Sequence, residues 1–210
     1  MKNIAKENCS CKCLSKHNFH IRFVNFLIVW REGINVECNK SSSINQFHFL
    51  HGAIFSLLVR NDKPISLILI GNDTEKWSKY RINDEIYLYI KSSRTPKSKQ
   101  WPIKGTGWDF SIDEKMVYSF EKDKKENQES YVALVCTDCE LSNREITLLD
   151  PLMLEECIEI KSQVFGSQTI TVLSPDKPRT SLRVWGTKNG KNKCKIIPRD
   201  KFKKWDIPGK

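Results

Sequence analysis

EIYLYIKSSR, Glu85–Arg94, alternates aliphatic and tyrosine side chains and then closes on a lysine, two serines and an arginine. Successive side chains of an extended chain point to opposite sides, so Ile86, Leu88 and Ile90 share one face of a strand and Tyr87, Tyr89 and Lys91 the other. The aliphatic face is core; the opposite face carries two phenols and, at the strand end, a cation. The loop that follows, SSRTPKSKQWPIKGTGW, interleaves Arg94, Lys97, Lys99 and Lys104 with Trp101 and Trp108. Cations for phosphates beside aromatic planes for stacking are what a nucleic-acid strand asks of a surface. Trp108 and Phe110 are expected to return to the core, whereas Trp101 is expected at the surface.

Working outward, ISLILIG (Ile65–Gly71) and YVALVC (Tyr131–Cys136) are short continuous apolar runs, as buried strands have. A short strand near Tyr80–Ile82 precedes the turn residues Asn83 and Asp84, and REITLL (Arg144–Leu149) is expected to pair with YVALVC. Phe47, Leu50, Ile54, Leu57 and Leu58 recur at helical spacing, predicting a helix over about 45–60. Met116, Val117 and Phe120 after an acidic first turn predict another over 113–126. Pro151 suits the first position of a short helix ending at Cys157. QTITVL and SLRVWG are late strands, and RFVNFLIVW with INVEC reads as a hairpin near the start. The fold class is therefore α/β, a mixed central sheet flanked by helices, with an extra N-terminal hairpin and C-terminal strands. A Cys/His-bearing tail (1–20), one α/β domain (21–187) and a basic C-terminal segment (188–210) complete the expected organisation.

The net charge of +10 is unevenly placed. Residues 75–105 carry eight basic and three acidic side chains and 188–210 carry nine and two, while 106–187 carry nine and fifteen. Two concentrated basic segments suit a phosphate backbone. The longest apolar run, Phe26–Trp30, is far short of the roughly 18 residues needed to span a bilayer. The beginning, MKNIAKENCSCKC, lacks the apolar stretch of a secretory signal, so the cytoplasm is the expected location. The eight cysteines then read as free thiols or metal ligands rather than disulfides. Cys136-x-x-Cys139 has the spacing of a zinc half-site, and Cys9, Cys11 and Cys13 with His17 and His20 supply further soft ligands. His48 and His51 share a helix face, as a metal pair or as core histidines.

The order helix, three strands, helix, strand over roughly residues 45–149, with Lys91 ending the third strand, resembles the PD-(D/E)XK, or restriction-endonuclease-like, superfamily. The resemblance implies a metal-dependent nuclease or a catalytically degenerate relative, acting on DNA more readily than on RNA. In that family a helix acid, a strand aspartate and an acid-x-lysine hold Mg²⁺ and orient a water at the scissile phosphate. Carried over, Lys91 matches the lysine, and Asp84 or Glu85 stands nearest the strand aspartate, with Asp84 as the Mg²⁺ ligand. Tyr89 stands where the second acid belongs and Ser56 where the helix glutamate belongs. Arg94, Lys97, Lys99, Trp101 and Lys104 are the expected nucleic-acid contacts, and Cys136 and Cys139 the candidate structural zinc ligands. The alternative is a non-enzymatic interaction module whose basic segments dock an acidic partner.

Overall fold

The computed structural model describes residues 26–27, 46–60, 64–70, 77–99, 103–141, 144–161, 166–177 and 180–207. The N-terminal tail with its cysteines, most of the expected hairpin, and Trp101 lie outside the described residues. Among the described residues eleven strands form two sheets. The first contains β1 (Phe26–Leu27), β2 (Ile65–Leu69), β3 (Ser78–Ile82), β4 (Ile86–Ser93), β7 (Glu129–Cys136) and β8 (Glu145–Leu149), side by side in that order. The second is antiparallel, with β5 (Lys97–Lys99), β6 (Gly105–Ile112), β9 (Gln168–Pro175), β10 (Leu182–Gly186) and β11 (Lys195–Ile197) in the order β11-β10-β9-β6-β5.

Within the first sheet, β2, β3 and β4 form an antiparallel meander. Asn83 and Asp84 both take positive φ, 51° and 60°, in the two-residue turn between β3 and β4, the geometry a tight hairpin requires. The chain then leaves for β5 and β6, crosses back through helix α2 (Glu114–Lys125), and enters β7 parallel to β4 over eight residues, from Ile86 opposite Glu129 to Ser93 opposite Cys136. Asp113 caps α2, its carboxylate accepting from Met116 N at 2.9 Å.

Alternation along β4 works as the sequence predicts. Ile86, Leu88 and Ile90 join Leu50, Ile54 and Leu58 of helix α1 (Gln46–Leu58) in a core on one face of the sheet. The C-terminal residues Phe202, Trp205 and Ile207 complete that core. On the other face Tyr89, Val132 and Leu134 meet α2, helix α3 (Pro151–Cys157) and the inward side chains of the second sheet. Trp108, Phe110 and Ile112 of β6 are among them, so the segment expected to return to the core does so as a full strand. Trp108 also ties the two sheets together, its indole Nε1 donating to Thr137 O at 2.7 Å beside the end of β7.

Two glycines permit this packing. A Cβ on Gly186 would lie on the carbonyl of Cys157, where β10 abuts the end of α3. One on Gly107 would collide with the Lys99 stem that crosses it. No helix of the described residues is long and apolar enough to cross a membrane.

Candidate functional site

Asp84 and Lys91 fall at opposite ends of β4. The extended strand from Ile86 to Lys91 alone spans about 16 Å at 3.3 Å per residue, and Asp84 and Glu85 lie beyond its start in the turn. Neither acid can share an ion with Lys91. Asp84 is exposed in the turn and pairs with Arg81 at 3.0 Å, a surface contact of small energetic weight. Ser56 faces solvent on α1, donating to Ala53 O at 2.8 Å. Lys91 is buried, 7% exposed, rather than reaching into solvent. By alternation it shares the face of Tyr87 and Tyr89, toward the second sheet.

The side chains that do converge are on β3, β4, α2 and β7. Lys79 lies directly opposite Tyr89 in the β3–β4 register and is likewise 7% exposed. Its Nζ donates to Asp123 Oδ1 at 2.5 Å and sits 3.8 Å from the centre of the Tyr87 ring. Asp123, 1% exposed on α2, accepts two more hydrogen bonds on Oδ2, from Tyr89 Oη at 2.6 Å and from Ser130 Oγ at 2.9 Å. The single phenol proton is committed to Asp123, so the 2.6 Å contact between Tyr89 Oη and Ser119 Oγ has Ser119 as donor. Burial, then the Asp123 carboxylate, pushes the Tyr89 phenol far above its ordinary range. Tyr89 is thus a fixed neutral donor, and the ammonium of Lys79 is the cation held by the buried Asp123 carboxylate.

Sequence reasoning missed both partners. The signal lay in α2: Met116, Phe120 and Asp123 follow one another at helical spacing, so a carboxylate ends an apolar stripe and has to find a cation inside the fold. Opposite Tyr89, Lys79 is the cation that strand pairing supplies.

Several cations of the basic segments have acidic partners within the fold. Lys99 Nζ reaches Asp109 at 2.9 and 3.0 Å, and Lys97 reaches it at 3.4 Å, on the β6 strand itself. Burial raises the Asp109 carboxyl, but the hydrogen bonds from Lys99 and Thr171 outweigh it and hold the pKa below the usual carboxylate range. Lys104 pairs with Asp176 at 4.0 Å. In the C-terminal segment Lys188 pairs with Glu159, Lys195 with Glu156, Arg199 with Glu145 and Lys201 with Asp150. Part of each basic segment therefore pairs with the acidic middle of the chain, while Arg94, Lys191 and Lys193 take part in no ion pair among the described residues. Among the expected contacts, Arg94 is exposed and takes part in no ion pair among the described residues.

The thiols are placed apart in character. Cys136 is wholly buried and burial pushes its pKa well up, while Cys139 is exposed with Sγ 3.9 Å from Arg94 O. Among the described residues no three His, Cys, Asp or Glu side chains gather as a metal site. His51 is a core histidine, its Nδ1 2.9 Å from Tyr80 Oη and its ring edge-on to Phe55. Comparison with protein families, characterised proteins and solved structures returns no match.

Proposed function

We propose that the protein binds nucleic acid, DNA in preference to RNA, on a restriction-endonuclease-like core that does not cleave it. The connectivity α1, β2, β3, β4, α2, β7, with β4 and β7 parallel, supports that reading of the core. The observation that carries the non-cleaving half is Lys79. A divalent ion needs several hard oxygen ligands around one point. Beside Tyr89 there is instead an ammonium, and the one carboxylate bonded to it among the described residues, Asp123, is committed to it.

The binding half rests on the net charge of +10 and is reduced by the internal pairing of the basic segments. Fluorescence anisotropy with labelled 20-nucleotide single strands and duplexes at 50 mM salt tests it. The expected result is association that weakens with salt, with a slope of log affinity against log salt of about −2 to −3, as roughly three phosphate contacts give. Failure to bind any DNA or RNA at 50 mM salt defeats the proposal.

A further inference from the structure

Resting on that reading, we infer that the nucleic-acid backbone docks on one end of the molecule, across the carboxyl ends of β4 and β7, through Arg94, Arg144 and Lys177, rather than through Lys97 and Lys99. The strand registers assemble this end. Ser93 lies opposite Cys136, and Cys136 opposite Glu145, so three neighbouring strands end in one row. Arg94 and Arg144 are the residues just beyond that row on either side, with backbones roughly 10 Å apart across two strand spacings.

The second sheet ends at the same place. Ser174 Oγ lies 3.5 Å from Glu145 Oε1, Gly105 is opposite Pro175, and Asp176 N donates to Lys104 O at 3.2 Å. That brings Lys177 to the same rim. Arg94, Arg144 and Lys177 are all exposed and take part in no ion pair among the described residues. Two of the acids at this end, Glu145 and Asp176, are occupied by Arg199 and Lys104; Asp138 and Glu140 stand on the loop after β7. Lys97 and Lys99 are excluded as principal contacts because Asp109 holds both, with Thr171 donating to the same carboxylate at 2.7 Å. An ammonium already paired releases few counterions on meeting a phosphate.

The test compares two variants of the whole chain by salt-dependent anisotropy, with thermal unfolding as a check on folding. Arg94→Ala/Arg144→Ala/Lys177→Ala is expected to lower affinity at 50 mM salt at least tenfold and to flatten the log–log slope by about 2, at 0.7 to 0.9 per lost phosphate contact. Lys97→Ala/Lys99→Ala is expected to leave the slope unchanged. A slope flattened by the Lys97/Lys99 pair and not by the triple variant overturns this inference while leaving nucleic-acid binding standing. A wild-type chain that binds no nucleic acid removes the functional reading itself.

Discussion

Asp123→Ala is expected to lower the melting temperature by roughly 10 °C. The substitution strands the Lys79 ammonium under the sheet and leaves the Tyr89 and Ser130 hydroxyls without the acceptor they share. Removing one partner of a buried pair typically costs about 3 to 5 kcal/mol, and in a domain of this size each kcal/mol shifts the midpoint by about 2 to 4 °C. Since a native domain holds only about 5 to 15 kcal/mol in total, the variant should be marginal. The converse substitution separates the causes: Lys79→Met with Asp123→Leu removes both charges and should recover the part of the loss due to the stranded ammonium, while the Tyr89 and Ser130 hydroxyls still lack the Asp123 acceptor. Thermal unfolding followed by circular dichroism reads both. A single Asp123→Ala change of under 2 °C would mean that water reaches the network and that the pair is not the buried lock described.

Trp108→Ala is expected to be comparably severe, for reasons of volume rather than charge. The indole is 1% exposed, stands between the two sheets and donates to Thr137 O. Truncation of a buried tryptophan costs about 3 to 5 kcal/mol through lost transfer free energy and the cavity left behind. Trp108→Phe keeps most of the ring and separates the two contributions. Its cost, about 1 to 3 kcal/mol, reflects mainly the orphaned carbonyl. Denaturant unfolding of the two variants gives the comparison, and equal losses would show that the hydrogen bond, not the packing, joins the sheets.

The first sheet was legible in the sequence because its strands declare themselves by period. ISLIL and YVALVC are unbroken apolar runs, IYLYI alternates, and the two flanking helices carry stripes at helical spacing. The second sheet was only half legible. QTITVL and SLRVWG read as strands, but GTGWDFSI reads as the end of a loop, since Gly105 and Gly107 look like turn residues. They are there for clearance, one against Ser174 O and the other under the Lys99 stem. The C-terminal segment carried its apolar residues too sparsely to show a period, although Phe202, Trp205 and Ile207 cap the α1 face of the sheet.

The site was less legible than the fold because its key contacts are long-range. Lys91 and the strand that bears it lie where expected, in the body of the first sheet. The acids nearest in sequence, Asp84 and Glu85, sit in the turn beyond the start of β4, about 16 Å or more away by strand length, while the carboxylate that matters, Asp123, comes from a helix 34 residues beyond Tyr89. Charge counted along the chain carries no information on such contacts either. It records how many lysines a segment has and not whether a folded neighbour, Asp109 for Lys99 or Asp150 for Lys201, has already taken them.

The central claim is the proposal that the buried network beside Tyr89 holds the Lys79 ammonium in place of a catalytic metal ion, and a nuclease assay tests it most directly. Pure protein incubated with labelled single-stranded and duplex DNA in 5 to 10 mM Mg²⁺ or Mn²⁺, roughly the millimolar level such hard-cation sites need, is expected to leave the strands full length. Metal-dependent cleavage by the wild-type chain, abolished by Lys91→Ala or Asp123→Asn in variants that remain folded, would contradict it.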